Sequence, residues 1–259
     1  MLARQDLLKG AEHPETLSRL LDRAEQALKT WQIAVSDFLT PPEWAEAEQR
    51  LGALAELQVV AWGGYPQAER QRVGLARPET PLTPADIPLA LIEIRGNFLF
   101  DPAGHRDFLG AILGTGLVRE KLGDILVLDE RGAQAIVHPD LVAYLEQSLV
   151  QVRTVPVTTQ GIPWDNLRVP PPRVRALQTV EASLRLDALA SAGFGVSRSK
   201  MVDWIKQGDV RVNWQPVQQP SHPIKSGDLI AIRGRGRVAI GEIKTTQKGR
   251  FRVEMTRSS

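Results

Sequence analysis

Apolar residues at Leu17, Leu20, Leu21, Ala24, Leu28, Trp31, Val35 and Phe38 recur every three or four positions. That spacing predicts one amphipathic helix over 14–39. Thr40-Pro41-Pro42-Glu43 reads as a capping box that opens a second helix, running through Trp44, Leu51 and Leu54 to residue 57. The apolar run 59–62 then reads as a buried strand, ended by Gly63-Gly64. Residues 1–84 are therefore expected to be mostly helical, with Pro78, Pro81, Pro84 and Pro88 marking the boundary.

The pattern changes after Pro88. Residues 89–95 predict a strand, and 105–117 a helix with Phe108, Leu109, Ile112 and Leu113 on its apolar side. Two strands, 124–128 and 133–137, flank the hairpin signal Glu130-Arg131-Gly132. A helix over 139–149 and a strand over 150–157 complete a β-α-β-β-α-β order, the ferredoxin-like (RRM-like) split unit, over 85–158. Its strands at 89–95 and 124–128 carry no stacking aromatics, so sequence-specific reading of single strands is not expected of them. Gly161, Pro163 and Pro170-Pro171-Pro172 predict an extended linker over 159–183.

Residues 184–259 read as two short helices leading into a small β-unit, which makes the whole chain α+β. Gly193 and Gly195 would let the chain turn between the helices, Ser197 would cap the second, and Gly208 would end it. Val202, Trp204 and Ile205 are its expected packing face. Val210-Arg211-Val212-Asn213 alternates as a half-buried strand should, placing Arg211 and Asn213 on one outer face.

Charge sharpens this picture. Residues 181–259 hold 14 Lys and Arg against 7 Asp and Glu, whereas the preceding 180 hold 18 against 23. A chain of net charge +2 that gathers its cations at one end is built to meet a polyanion there. Exposed amides at a helix start beside Arg198 and Lys200 suit phosphate. Arg233-Gly234-Arg235-Gly236-Arg237 would set three guanidiniums on one side of an extended segment, or its glycines would simply turn the chain between strands.

Arg185-Leu186-Asp187, Ser197-Arg198-Ser199-Lys200, Gly208-Asp209-Val210-Arg211-Val212-Asn213 and Gly227-Asp228 together resemble the S4 RNA-binding domain. The resemblance implies RNA contacts at Arg185, Ser197, Arg198, Ser199, Lys200, Lys206, Arg211 and Asn213. Arg233, Arg235 and Arg237 extend that candidate set. Two further runs, 62–72 (WGGYPQAERQR) and 105–125, resemble the YlmH-type S4 proteins, called photosystem II S4 domain proteins in cyanobacteria and plastids. This likeness implies a non-catalytic, ribosome-associated RNA-binding protein acting in translation. Its expected partner is structured RNA, most simply rRNA in a ribosomal subunit or an rRNA–tRNA junction. Arg106, Arg119 and Lys121 are secondary RNA-contact candidates, and Arg70 and Arg72 are either surface charges or phosphate contacts.

Other function classes find little support. His105-Arg106-Asp107 imitates a kinase catalytic triplet, but Ile112 stands where that motif needs Asn. There is no cysteine, and four scattered histidines show no ligand spacing, so neither a metal nor a cofactor is expected. The rival reading is an RNA-modifying enzyme of the pseudouridine-synthase type that uses the S4 domain as an anchor. Those enzymes keep a catalytic Asp in a separate domain, whereas Asp187 belongs to the S4 helix itself. Residues 1–15 lack the apolar core of a secretory leader, and no apolar run approaches the ~20 residues that span a bilayer. A cytoplasmic monomer is the expectation.

Overall fold

In the computed structural model, which describes residues 3–171, 174–232 and 234–258, α1 (Arg4–Leu8) leads into α2 (Pro14–Thr30). Helix α2 is shorter than its apolar spacing predicts. Trp31 adopts a left-handed backbone (φ 59°) and ends it, and the residues beyond form β1 (Ala34–Leu39). Val35 and Phe38 fit a helical period, but Ser36 and Phe38 both turn inward on a pleated strand. After α3 (Pro41–Leu51) come β2 (Gln58–Trp62) and β3 (Gln71–Ala76). The region is thus not helical with one strand but carries an antiparallel sheet in the order β1-β3-β2. Leu17, Leu20 and Leu21 of α2 and Leu51 of α3 share a core with Val73 and Leu75 of β3. Helix α3 starts as expected, with the Glu43 carboxylate accepting from Thr40 N at 2.7 Å.

Next follow β4 (Ala90–Arg95), α4 (His105–Gly114), β5 (Leu122–Val127), β6 (Gly132–Val137) and α5 (Val142–Ser148). Residues 150–157, expected as a strand, instead form a small hairpin of β7 (Gln151–Val152) and β8 (Val155–Pro156). Arg153 takes φ 55° at its turn, and Asp101 holds that turn through Arg153 Nε at 2.7 Å and Thr154 Oγ1 at 2.6 Å. The fourth strand of the sheet is β9 (Thr158–Ile162), where the linker was expected to begin. Strand order is β5-β6-β4-β9, antiparallel throughout, so β4 and β6 form the central pair.

One face of this sheet buries Ile92, Ile94, Ala135 and Val137 with Phe108 and Ile112 of α4 and Leu145 of α5. Its other face is partly covered too. Leu91, Leu126 and Ile136 pack with Phe38 and Tyr65 from the preceding region. Residues 164–168 lie over the same face, because the fully buried Gln134 donates to the Asn166 carbonyl (2.9 Å) and accepts from Arg168 N (2.8 Å).

Chain contacts divide the molecule into two units, Met1–Pro170 and Pro171–Ser259. The second begins with β10 (Val174–Glu181), a strand within the expected linker. Then come α6 (Leu186–Phe194), α7 (Arg198–Gln207), β11 (Val210–Val212), β12 (Gln215–Pro216), β13 (Leu229–Ile232), β14 (Gly236–Thr245) and β15 (Phe251–Ser258). The sheet order is β10-β15-β14-β13-β11-β12. Leu186, Leu189, Phe194, Met201 and Ile205 from the two helices close over Val210, Ile230, Val238 and Val253. Val202 and Trp204, expected to pack inward, are only half-buried; Met201 and Ile205 fill the core. Gly193 is a packing glycine inside α6, since a Cβ there would sit 2.8 Å from Val238 Cγ1.

Candidate nucleic-acid interface

The expected RNA surface is organised around a carboxylate. Asp187 is 3% exposed, and its backbone N–H is fixed to the Pro220 carbonyl at 3.0 Å. Its two oxygens accept from Arg185 (Nε 3.1 Å, Nη2 3.2 Å) and from Arg198 (Nε 3.1 Å, Nη2 3.2 Å). Burial alone would raise the Asp187 pKa, but the hydrogen bonds from Arg185 and then Arg198 hold it below the ordinary aspartate value. Each guanidinium spends two of its five N–H donors on this bidentate contact and keeps three. The arginine side chains remain 42% and 55% exposed. Asp187 therefore fixes two cations at the surface with their remaining donors turned outward.

Helix α7 starts beside this triad. Ser197 Oγ accepts from Lys200 N at 3.4 Å and lies 3.3 Å from Ser199 Oγ, so Ser197 is the cap that its position suggests. Arg198, Ser199 and Lys200 are exposed, as is Lys206 further along the helix. Trp204, one turn beyond Lys200, carries two cations, Lys200 Nζ at 5.4 Å and Arg235 Cζ at 4.1 Å from the ring centroid. Arg237 lies 5.7 Å from the ring of Trp214. The two tryptophans thus hold cations in place, a role their spacing in sequence does not reveal.

Two expectations need correction here. Asn213 lies past the end of β11 in a left-handed conformation (φ 50°), not on a strand face with Arg211. Its amide is committed to the turn, donating to Asp228 Oδ1 and accepting from Leu229 N, both at 2.9 Å. Arg211 is half-buried, with Nη1 on the Trp214 carbonyl at 2.8 Å. Of the two readings of the Arg-Gly repeat, the turn is the one found: Gly234 (φ 73°) and Gly236 (φ 88°) bend the chain between β13 and β14. Arg233 lies outside the described residues.

The secondary candidates divide. Arg106 is exposed on α4. Arg119 is instead turned inward, donating to the Leu122 carbonyl at 2.7 Å. Burial, reinforced by repulsion from Arg70, brings its pKa down to about 10. Lys121 pairs with Asp37 at 2.5 Å.

Arg70 and Arg72 are neither surface charges nor phosphate contacts, because both are buried. Arg70 donates to the carbonyls of Leu122 (2.8 Å), Phe38 (3.1 Å) and Arg119 (3.1 Å). Arg72 donates to Ser36 O at 2.8 Å and to the Pro88 carbonyl. The loop before them wraps a second carboxylate: Asp124 accepts from Tyr65 Oη (2.8 Å), Glu69 N (2.7 Å) and Arg70 N (3.0 Å). Gly63 is required for this fit, since a Cβ would fall 2.4 Å from the Arg70 carbonyl oxygen. The run 62–72 is thus the seam that joins the first sheet of this unit to the second.

Three family models match the chain in order: "YlmH, N-terminal" over 12–80, "Putative RNA-binding domain in YlmH" over 83–166, and "S4 domain" over 184–230. A curated relative, "Ribosome-associated protein quality control protein P2" of Bacillus subtilis (strain 168), is 33% identical over 228 residues, which is 88% of each chain. The chain belongs to the YlmH family. A solved structure, "Cell division protein ylmH from Streptococcus pneumoniae", shares the fold, with a TM-score of 0.54 at 21% identity over 62% of this chain and 96% of that one. Within the YlmH family assignment, the seam around Asp124 involves residues of both the N-terminal and the RNA-binding domain models. The Asp187 triad lies within the S4 match. Among the described residues, no helix is long and apolar enough to cross a membrane.

Proposed function

We propose that this protein binds structured RNA on a ribosomal subunit, or at an rRNA–tRNA junction, through the start of α7 and the arginine pair beside it, without chemistry on the RNA. The observation that carries the reading is the Asp187 triad. Two guanidiniums are immobilised at the surface, next to a helix N-terminus and the exposed Lys200. Immobilised forks meet phosphate oxygens with less ordering cost than free side chains do. Lys206, Ser199, Arg235 and Arg237 extend the same surface. The S4 model match and the name of the Bacillus relative support RNA and ribosome as partners.

Asp187 also bears on the enzyme alternative. Both of its oxygens are engaged by arginines, which is the geometry of an anchor and not of a nucleophile facing substrate. The test is binding of the intact protein to isolated ribosomal subunits. Lys200→Glu with Lys206→Glu, both exposed, should weaken binding at least tenfold while leaving the circular dichroism spectrum unchanged. Unaltered affinity would displace the site from α7. Arg198→Glu and Arg211→Glu make poorer probes, since the first sets a carboxylate against buried Asp187 and the second breaks the contact to Trp214.

A further inference from the structure

The first unit contains a second arginine pair fixed by a buried carboxylate. Glu93 on β4 is 6% exposed. Arg95 Nε donates to its Oε2 at 2.6 Å, and Arg168 Nη2 lies 3.7 Å from its Oε1. Arg168 reaches this position because Gln134 holds its backbone N–H. The covered half of the sheet face ends here. Beyond it opens a groove of about 510 Å³, lined by Arg95, Asn97, Leu99, Glu130, Arg131 and Arg168.

Beside the groove, an aromatic is held out in solvent. The loop after β4 is anchored before its tip by Phe98, which is buried edge-on against Phe108 at 5.2 Å and bonded through N–H to the Glu130 carbonyl (3.1 Å). It is anchored after its tip by Asp101, through Arg153 and Thr154. Between these anchors Phe100 stands 89% exposed and Leu99 50%. Phe100 and Leu99 form one apolar tip, held in solvent by a loop pinned on both sides. The aromatic that the strands lack is thus supplied by the loop next to them.

We propose that this groove is a second RNA site, taking an unpaired nucleotide segment with a base on Phe100 and phosphate on Arg131, Arg95 and Arg168. It rests on the RNA-binding reading above, and it gives the part of the chain matched by the "Putative RNA-binding domain in YlmH" a definite site and a single-stranded ligand. RNA is favoured over a protein partner because three guanidiniums, of Arg95, Arg131 and Arg168, line the groove with Asn97 and Leu99 against two carboxylates, of which Glu93 is buried and already paired. Glu130 is the opposing charge on the rim. Stacking on an aromatic is indifferent to base identity, so the site reads strandedness and not sequence.

The test uses the full-length protein and two probes, a twelve-nucleotide oligouridine and a blunt RNA hairpin, measured by fluorescence anisotropy. Phe100→Ala and Arg131→Gln, both at exposed positions, should each weaken oligouridine binding at least fivefold, with Phe100→Trp restoring it and hairpin affinity unmoved in all three. Lys200→Glu with Lys206→Glu should do the reverse. Oligouridine affinity that ignores Phe100 and Arg131 overturns the second site and leaves the α7 reading standing. Loss of oligouridine binding only in the Lys200 and Lys206 variant overturns it as well. Phe100→Ala that spares both probes yet abolishes binding to an RNA-free ribosomal protein would reassign the tip to a protein partner. Failure of hairpin binding to respond to Lys200 and Lys206 would instead undo the reading beneath.

Discussion

Asp187 decides where two cations stand, and removing its charge should be felt in both stability and binding. Asp187→Asn keeps the shape but cannot accept from both forks, so the loss of charged hydrogen bonds should cost about 1–3 kcal/mol, readable by urea denaturation. Affinity for RNA should fall too, because Arg185 and Arg198 regain their freedom. A binding defect in this variant is therefore no sign of catalysis. The acid limb carries the same signature. A carboxylate whose folded pKa is lowered contributes stability above its unfolded value of about 3.9. That stability is lost as pH falls through the lowered folded value, so wild type should lose more stability below about pH 4 than Asp187→Asn does. The roles of single charged residues were only partly legible in sequence. The order of turns and cations marked the α7 surface. Arg70 and Arg72 looked like candidate phosphate contacts, because the carbonyls that receive them come from segments distant in sequence, at Phe38, Leu122 and Pro88.

Elements were legible where local chemistry is decisive. The capping box before α3, the cap at Ser197 and the close of α7 at Gly208 all follow from residues within a few positions of one another. Residues 34–39 were read as helix because their apolar spacing fits either period, and only pairing with a distant strand selects the extended form. Residues 150–157 were read as one strand, but the turn at Arg153 folds them into a hairpin and the pairing with β4 falls to 158–162. Gly193 shows the same limit: it reads as a hinge and acts as a spacer. In Gly193→Ala, the gain of about 1 kcal/mol in helix propensity is opposed by overpacking of about 1–3 kcal/mol against Val238. Val238 Cγ1 lies within the clash distance, Cγ2 is a tight contact at 3.0 Å, and both sit one bond from Cβ, so the overlap should win. The midpoint of thermal unfolding should drop, whereas RNA affinity at low temperature should hold.

For the whole molecule the controlling quantity is charge distribution. The cations gathered after residue 180 predict a binding constant that falls steeply with salt. Replacing Lys200 and Lys206 should make the log–log slope shallower by about 1.4–1.8, at 0.7–0.9 for each phosphate left without its lysine, measured by titration at several ionic strengths. The larger part of the chain is less simply charged, and its four-stranded sheet is covered on one face by helices and partly covered on the other by Phe38 and Tyr65 of the same unit. This unit therefore cannot present RNA with a sheet whose two central strands are both open along their length.

The pairing of β10 with β15 brings together the two ends of the second unit, across eight matched positions from Val174↔Ser258 to Glu181↔Phe251. Such a ladder cannot nucleate locally, because the whole helix pair and the intervening strands must be in place before its ends meet. It should zip last in folding and fray first in unfolding. Weakening it, by Leu177→Ala, ought then to hasten unfolding and leave the refolding rate almost untouched. Stopped-flow traces in both directions would show whether this strand behaves as a latch on a structure already built.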